Sequence, residues 1–447
     1  MNEFGSWGLE ALKGAERLRG KDGGAFRDRM CALPLLLRGA YFSGEAKWRS
    51  MAEEDLRALY RGGVHDHVGG GFFSDSGDGE WLRPRGEKRL CDNAMLALVL
   101  SGAWESGRMA FYRESAEDAL DFCLRELKGP DGLFFAAQRS ADGTAAPWLF
   151  TPEQLAEALG REKSRGFAEC FDITPEGNFP GGASIPNLIL NQRWSLLPEG
   201  CADQCETLRL YRDARGGFEL DRRAIPEWNA LMLASLAKCA RIFSDARYLN
   251  EAEELCAALG EGGEDESAEA AACRVLALCE LYRADFDPAR LSAARRAAER
   301  LRERALRSET ALAAASDACL AAAALGLDEL HRLCADGASR ELRGAVLREL
   351  CLHSDRRSLA AAPGFCALLG ALAPELSLVC LSRGESLPAG ARALLGRYAP
   401  DCVLLLKTPA RAAGLAAAAP YTEQLCPSGD DCIAPFRDGV PGEILLL

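Results

Sequence analysis

Two histidines flank a carboxylate in the segment GGVHDHVGGGF, which spans residues 62–72. In an extended segment His65 and His67 would project to the same side, because side chains alternate along a strand. Imidazole is the side chain best suited to transferring protons near neutral pH. We therefore predict His67 as a catalytic base, with Asp66 or Asp92 as its acid or orienting partner. The glycines that follow allow a ligand to approach the backbone closely.

The same segment is open to two other interpretations. A His-x-His pair can bind a metal ion, but such a site needs at least one further ligand, and the sequence shows no obvious partner. A glycine-rich turn in which Asp66 accepts hydrogen bonds from backbone amides is the structural alternative. We predict neither a metal ion nor an organic cofactor.

Asp92 and Glu87 are the other candidate catalytic carboxylates. Asp92 lies at the start of LCDNAMLALVL, a nearly all-apolar helical segment at residues 90–100, so its carboxyl is expected to face the interior of the fold. A carboxyl in such surroundings can have a raised pKa and serve as an acid or a base. The alternative is that Asp92 is a charge at a helix N-terminus, where the helix dipole stabilises it.

Aromatic and polar residues recur at corresponding places in the chain. Trp228 and Asn229 start a second apolar helical segment, EWNALMLASL, and Asp317 starts a third. Such a recurrence indicates one shared pocket mouth. Aromatic faces beside carboxylates suit sugar rings, and ordinary core packing is the alternative for each aromatic residue. The predicted ligand contacts are His65, Gly70, Phe72, Trp81, Lys88, Trp228 and Asn229.

Helical elements must position these residues, because residues 5–370 show helical periodicity with many Ala, Leu, Arg and Glu. Three stretches, at 92–122, 228–255 and 271–298, repeat a hairpin in which an apolar helix precedes an amphipathic one. A helix that is apolar on all sides must be buried on all sides, so the hairpins form an inner and an outer layer. Irregular spacing and long glycine-rich loops favour a closed toroid over an open solenoid. The predicted fold class is mainly α, an (α/α)6 toroid of helical hairpins.

Two loops and the tail depart from this pattern. Residues 62–87 and 129–151 pair glycines with aromatic residues, and we expect these loops to fold over one end of the ring. In the tail, the apolar runs LSLVCL and CVLLLK flank a helical segment, which predicts a small strand–helix–strand element. We therefore divide the chain into a barrel domain at 1–373 and a small C-terminal α/β element at 374–447.

The composition excludes several classes of function. Lys and Arg number 53 against 66 Asp and Glu, and the net charge of −13 disfavours nucleic acid and anionic membranes as partners. No stretch approaches the ~20 apolar residues of a membrane-spanning helix, and the N-terminus lacks the apolar core of a signal peptide. The 18 cysteines include no Cys-x-x-Cys pair, which argues against a thioredoxin-type motif or a zinc ribbon. We expect a soluble, cytoplasmic protein.

Several motifs, in order along the chain, resemble the spermatogenesis-associated, thioredoxin-like family that includes bacterial YyaL-type proteins. They are GGVHDHVGGGF, WLRPRGEKRLCDNAMLAL, FTPEQLAEALG followed by TPEGNFPGG, EWNALMLASLAKCARIF and YTEQLCPSGDDCIAP. The resemblance implies an (α/α)6 barrel similar to N-acylglucosamine 2-epimerases and six-hairpin glycosidases, with the family's thioredoxin-like domain absent. Two family histidines correspond here to Phe73 and Arg85. The candidate residues that match the family are Asp66, His67, Glu87, Lys88, Asp92, Trp228 and Asn229.

Together these features predict a protein that processes or binds carbohydrate in a central barrel pocket. Sugar epimerase, isomerase and glycosidase are the candidate activities. Epimerisation beside a carbonyl requires two groups that exchange protons, and glycoside hydrolysis requires two carboxyls at the scissile bond. The alternative is a non-catalytic binding or scaffold protein that acts with a separate thioredoxin-like partner. In both cases the expected ligand is a small, sugar-like molecule.

Overall fold

The computed structural model describes residues 3–19, 26–197, 199–305, 311–352, 359–370, 374–427 and 429–447. The α-helices are α1 (Glu3–Arg19), α2 (Phe26–Ser43), α3 (Ala46–Arg61), α4 (Leu90–Gly107), α5 (Ala110–Phe122), α6 (Pro152–Leu159), α7 (Arg161–Cys170), α8 (Cys201–Arg215), α9 (Pro226–Phe243), α10 (Ala246–Leu259), α11 (Ala268–Asp285), α12 (Pro288–Ala305), α13 (Asp317–Cys334), α14 (Gly337–Leu352), α15 (Ala362–Leu369), α16 (Ala389–Leu395) and α17 (Ala412–Ala418). The strands are β1 (Glu87–Arg89), β2 (Ala137–Ser140), β3 (Phe218–Asp221), β4 (Leu376–Leu381), β5 (Cys402–Lys407), β6 (Cys432–Arg437), β7 (Val440–Pro441) and β8 (Leu445–Leu446).

The inner layer of the fold is a closed ring of helices. Among the described residues, six helices form this ring in the order α2, α4, α9, α11, α13 and α15, and α15 packs back against α2. Each inner helix has an outer partner. The pairs are α2 with α3, α4 with α5, α9 with α10, α11 with α12, α13 with α14, and α15 with α1. This arrangement confirms the predicted (α/α)6 toroid of helical hairpins.

The two layers differ in how much of each helix is buried. The inner helix α4 buries twelve of its 18 residues, because apolar side chains occupy all its sides. The outer helix α10 buries three of its 14 residues, and these three, Tyr248, Ala252 and Leu255, follow helical spacing along one face. The contrast between an all-apolar inner helix and an amphipathic outer helix is the one predicted from the sequence.

Four inner helices end in the same way. Each of α4, α9, α11 and α13 is followed by a residue in the left-handed conformation, whose backbone N–H donates to the carbonyl four residues earlier. These residues are Arg108, Ser244, Phe286 and Ala335. The shared ending shows that the hairpins repeat one local structure.

Two equivalent asparagines fasten the glycine- and aromatic-rich loops to the starts of inner helices. Asn93 in α4 accepts a hydrogen bond from Phe72 N at 2.7 Å and donates one to Phe72 O at 3.0 Å. Asn229 in α9 makes the same two bonds with Phe134, also at 2.7 and 3.0 Å. Both loops are therefore held at the end of the ring where the inner helices begin, as the sequence predicts.

Two small sheets accompany the ring. β1, β2 and β3 form an antiparallel sheet, and in the tail β4 pairs in parallel with β5 and antiparallel with β6. The runs LSLVCL and CVLLLK form β4 and β5, with α16 between them, which confirms the strand–helix–strand element. The strand β6 was not predicted, since Pro435 interrupts its apolar run.

The tail covers the end of the ring where the inner helices finish. Arg241 of α9 donates to Leu395 O at 3.0 Å, and Arg332 of α13 donates to Asp401 O at 3.2 Å. Tyr41 of α2 donates its hydroxyl to Asp401 Oδ1 at 2.7 Å. The tail thus contacts three inner helices. The domain boundary between the ring and the tail stays a prediction.

One apolar core runs through the ring and into the tail, and it includes Leu278 of α11 and Val379 of β4. A smaller cluster of Phe73, Trp148 and Ile185 packs under the glycine- and aromatic-rich loops. Among the helices that the structure describes, none is both long and apolar enough to cross a membrane. The cytoplasmic location stays a prediction.

Candidate functional site

The interior of the ring holds a cavity of about 700 Å³. Its lining comes from the six inner helices described above and from the tail residues Tyr398, Ala399 and Pro400. This volume is typical of small-molecule sites in proteins. We call the end where the inner helices begin the mouth, and the end where they meet the tail the floor.

In the described residues, carboxylates from four successive inner helices converge on the mouth. Each lies in the first turn of its helix, where the helix dipole stabilises a negative charge. Trp228 lines the cavity beside them and contributes an apolar ring face. We define the mouth carboxylates as Asp92, Glu227, Glu269 and Asp317.

Two of the mouth carboxylates are oriented by polar neighbours. Arg89 Nε lies 3.3 Å from Asp92 Oδ2. Ser316 donates its hydroxyl to Glu269 Oε2 at 2.7 Å. Because an ionised carboxylate offers roughly four lone-pair sites, these contacts leave sites for ligand hydroxyls. The mouth is thus a cluster of hydrogen-bond acceptors, two of which contact polar neighbours.

Apolar side chains separate the mouth from the floor. They include Pro34, Leu37, Met95, Leu98, Val99, Leu231, Leu276, Ala321, Ala322 and Leu325. Such walls suit the C–H faces of a sugar or another apolar surface, while polar groups at the two ends fix the direction of a ligand.

Charged side chains form the floor. Arg241 lies 3.5 Å from Glu105 and 3.6 Å from Glu280. Arg283 lies 2.7 Å from Glu329 and 3.5 Å from Glu280. These ion pairs connect α4, α9, α11 and α13 around the bottom of the cavity. The other charged floor residues are Arg38 and Lys238.

Most of the predicted site residues lie outside this cavity. Asp92 and Trp228 line it, and nine predicted residues do not. The nine are His65, Asp66, His67, Gly70, Phe72, Trp81, Glu87, Lys88 and Asn229. This placement corrects the expectation that Asp66, His67 and Asp92 share one hollow.

Asp66 is instead the centre of a buried ion cluster. Lys88 Nζ donates to Asp66 Oδ2 at 2.5 Å, and Arg212 Nη1 donates to the same oxygen at 2.8 Å. The backbone N–H groups of Val68 and Gly69 donate to Asp66 Oδ1 at 3.2 and 2.9 Å. The structure therefore has the turn that was the structural alternative for this segment. We call Asp66, Lys88 and Arg212 the ion cluster.

The ion cluster determines the charge of its members. Burial raises the pKa of Asp66, but the charges of Arg212 and Lys88 outweigh burial and hold this pKa well below its ordinary value. Burial lowers the pKa of Lys88 to about 8, and the Asp66 carboxylate opposes that shift. A carboxylate that remains ionised in this way has no proton to donate, so these contacts favour the structural alternative for Asp66 over a role as general acid.

The glycines of GGVHDHVGGGF make room for protein groups. A Cβ at Gly69 would collide with the Arg212 guanidinium, and Gly71, with φ of +75°, lies against an aromatic ring of α5. The carbonyl of Gly70, a predicted ligand contact, accepts a hydrogen bond from Lys88 Nζ at 2.9 Å. The glycine run is therefore part of the packing around the ion cluster.

The two histidines lie in an aromatic cluster. His65 stacks on Phe72, with 4.6 Å between ring centroids, and its Nε2 lies 3.2 Å from Asp118 Oδ2. The ring of His67 lies 4.4 Å from that of His65 and 5.5 Å from that of Phe171. Burial, followed by the effect of His65, lowers the pKa of His67 well below 6.5. The His67 imidazole is therefore neutral near pH 7.

Three further predicted residues have partners within the protein. Trp81 is buried, and the Arg29 guanidinium lies 4.5 Å from its ring centroid. Asn229 is buried in its bonds to the loop backbone. Glu87 lies in β1, where its Oε2 is 3.1 Å from Arg89 Nε. These contacts explain their residue types without a ligand.

Two mouth carboxylates and one member of the ion cluster were not predicted from the sequence. The residues not identified there as site residues are Glu227, Glu269 and Arg212. A signal for the first two existed, because each apolar inner helix from α4 to α13 carries an acid in its first turn. No comparable signal marks Arg212, which lies 146 residues from its partner Asp66.

Over 240 residues the chain is 27% identical to spermatogenesis-associated protein 20 of Homo sapiens, a match that covers 46% of this chain and 30% of that protein. The Mus musculus protein of the same name is 36% identical over 226 residues, which cover 42% of this chain and 28% of that protein. The resemblance to this family is confirmed for the matched part of the chain. The chain spans about a third or less of the length of these relatives. No family model matches the sequence.

Solved structures with a similar fold include family 76 glycoside hydrolases. A mannosidase of this family from Bacteroides thetaiotaomicron VPI-5482 has a TM-score of 0.41 and 13% identity, over 78% of this chain and 71% of that chain. An inactive α-1,6-mannanase variant from Salegentibacter sp. HEL1_6, in complex with α-1,6-mannotetrose, has a TM-score of 0.41 and 11% identity, over 81% of this chain and 90% of that chain. Likeness of this degree does not identify residues or a reaction.

Proposed function

We propose that this chain binds a sugar chain in the central cavity and hydrolyses a glycosidic bond between mouth carboxylates. The observation that carries this proposal is the convergence of acids from successive inner helices on one end of a cavity of about 700 Å³, beside Trp228. Glycoside hydrolysis needs one carboxyl to protonate the leaving oxygen and a second to attack the sugar or activate water. The mouth supplies carboxyl groups that can take these two roles.

Epimerisation is less well supported than hydrolysis. The predicted base His67 does not line the cavity, and no histidine lines it in the part of the chain that the structure describes. Hydrolysis needs no histidine, because a pair of carboxyl groups performs both proton transfer and attack. Among the activities that the sequence left open, the cavity thus favours glycosidase over epimerase and isomerase.

We assign the two chemical roles to neighbouring helices. Asp92 is the nucleophile or base, because Arg89 orients its carboxylate and an oriented group attacks more efficiently. Glu227 of the next helix is the acid, and Trp228 in the same helical turn provides the face on which the sugar ring stacks.

The test is a reducing-sugar assay with a panel of oligosaccharides and aryl glycosides that includes α-1,6-linked mannotriose. Asp92→Asn and Glu227→Gln should each reduce turnover by at least about 100-fold, because each removes a group that acts in the transition state. The control is Glu299→Gln on the outer helix α12, which does not line the cavity and should retain full turnover. Absence of hydrolysis across the panel, or full activity in Glu227→Gln, would contradict the proposal.

A second assay separates hydrolysis from epimerisation. The protein is incubated with aldoses and 2-ketoses in deuterated water, since proton exchange beside a carbonyl incorporates deuterium. We expect no incorporation. Deuterium uptake that is lost in Asp92→Asn would replace the hydrolase proposal by an epimerase or isomerase.

Binding without turnover is the second candidate function. It is favoured by the contacts of Arg89 with Asp92 and of Ser316 with Glu269, which engage two of the mouth carboxylates within the protein. It predicts that sugars raise the melting temperature but are not cleaved. The separate thioredoxin-like partner stays a prediction, and co-purification from cells that express both proteins would test it.

A further inference from the structure

Two floor cations have no ion-pair partner within 4.0 Å in the described residues. Arg38 Nη1 donates to the backbone carbonyl of Cys366 at 3.3 Å, and Lys238 Nζ donates to that of Leu98 at 3.0 Å. Both side chains line the cavity. A cation that lines the cavity is stabilised only in part by a neutral carbonyl, so an anion bound beside it would stabilise it further.

The floor carboxylates compensate these two cations only at longer range. Burial raises the pKa of Glu280, but the charges of Arg283, Arg241, Lys238 and Arg38 outweigh burial and lower it. The floor carboxylates Glu105, Glu280 and Glu329 are contacted by Arg241 and Arg283 at 2.7–3.6 Å. Among the described residues, four cations and three carboxylates line this end, so the lining carries one net positive charge. The direct contacts of Arg38 and Lys238 are to backbone carbonyls, so an anion bound between them would add the close charge that they lack.

Arg38 and Lys238 point into the same part of the floor. A Cβ at Gly102 would lie 3.3 Å from Lys238 Nζ and 3.9 Å from the Tyr398 ring, so the ammonium lies near the tail residue that closes the cavity. Burial raises the pKa of Cys366 to about 11, and the charges of Arg38 and Lys238 both oppose this shift. Each cation therefore lies close to Cys366 although they come from different inner helices.

The helix dipole does not explain these two residues. Arg38 and Lys238 each lie five residues before the last residue of their helices, α2 and α9. The favourable field for a cation falls off within the last turn of a helix. Their position in the cavity thus calls for another partner.

We infer that the floor binds the anionic group, a carboxylate or a phosphate, of an elongated ligand whose hydroxyls face the mouth carboxylates. Asp92 and Glu105 are 13 residues apart on α4, which corresponds to about 20 Å along the helix axis. A ligand that reaches both ends is therefore an acidic oligosaccharide or a sugar chain that carries a phosphate. The sugar part of this inference rests on the proposed function, and the anion site does not.

Isothermal titration with matched ligands tests the inference. The ligands are a uronic acid trisaccharide, a neutral trisaccharide and inorganic phosphate. The acidic trisaccharide should bind the wild type at least tenfold more tightly than the neutral one, and phosphate should raise the melting temperature. Arg38→Met and Lys238→Met should each remove this preference, while Arg302→Met on the outer surface should retain it. Arg38→Lys keeps the charge and should retain part of the wild-type affinity. It can be measured even if Arg38→Met fails to fold.

The outcomes separate this inference from the hydrolase proposal. Equal binding of acidic and neutral trisaccharides, or affinity that changes less than twofold in Lys238→Met and in Arg38→Met alike with no effect of phosphate, would overturn the anion site even if neutral sugars are hydrolysed. Anion binding that depends on Arg38 and Lys238 would support it even if no glycoside is cleaved.

Discussion

The ion cluster and the mouth both contain carboxylates at the same end of the ring, yet their surroundings are opposite. Asp66 receives two cations and two backbone amides, and it is 4% exposed. Glu227 and Glu269 face the cavity, with hydrogen-bonding capacity left for a guest. Asp66, which resembles a catalytic carboxylate in sequence, thus binds groups of the protein, and acids at the starts of inner helices face the cavity.

This difference shows that residue type alone does not indicate a reactive group. A buried charge needs partners, and once it has them it holds chain segments together. The ion cluster joins the glycine-rich loop, β1 and α8 in this way. Of the mouth carboxylates, Glu227 and Glu269 line the cavity and are partly exposed there, so a ligand can reach them.

The largest expected effect is the loss of Asp66. Asp66→Asn leaves Lys88 and Arg212 buried without their carboxylate, so we expect the free energy of unfolding to fall by about 3–5 kcal/mol. Urea denaturation measures this change. The exposed Glu341→Gln on α14 is the control and should have no effect. If Asp66→Asn kept the stability of the wild type but lost sugar turnover, the ion cluster would act in catalysis, and the contrast with the mouth would be wrong.

The next effect concerns the two asparagines that hold the loops. Asn93→Ala and Asn229→Ala each remove two hydrogen bonds to a buried phenylalanine backbone, and each should lower the free energy of unfolding by about 2–3 kcal/mol. The two values should agree because the bonds have equal lengths. A large loss at one position and none at the other would contradict the equivalence of the loops.

His67 should make the free energy of unfolding depend on pH. Its pKa is lowered in the folded state, so below pH 6.5 the unfolded chain binds a proton there and the folded chain does not. Stability at this residue is thus complete above pH 6.5 and is lost as the pH falls below it. His67→Phe should lose this part of the slope in thermal unfolding measured at several pH values. An unchanged slope would show that His67 binds a proton in the folded protein.

The smallest effect on stability is expected at the mouth. Glu227→Gln and Glu269→Gln should change the free energy of unfolding by less than about 1 kcal/mol, because both side chains face the cavity. Urea denaturation provides the value, and comparison with Asp66→Asn sharpens the contrast. If either substitution lowered the free energy of unfolding by several kcal/mol, the mouth carboxylates would be shown to stabilise the fold as the ion cluster does.

Much of the fold could be predicted from the sequence, because local pattern and burial coincide in it. The all-apolar stretch after Asp92 predicts an inner helix, and LSLVCL and CVLLLK predict the strands β4 and β5. Asp92 and Trp228 were also predicted, since both stand at the start of an apolar helix.

The rest of the site depends on contacts between distant residues. Arg212, in the polar helix α8, has no local feature that associates it with Asp66. Arg38 and Lys238 look like ordinary helix charges until the ring turns them towards one floor. Only the three-dimensional arrangement decides whether His67 or Glu269 meets the cavity.

The closure of the ring also governs how this chain is made. Arg38 of α2 and its partner Cys366 of α15 are 328 residues apart in the chain. During synthesis the apolar flank of α2 emerges long before the helix that will cover it. Contacts this distant in sequence form slowly, and incomplete intermediates with exposed apolar surface aggregate. The ring therefore stays open, with the apolar flank of α2 uncovered, until α15 has been synthesised.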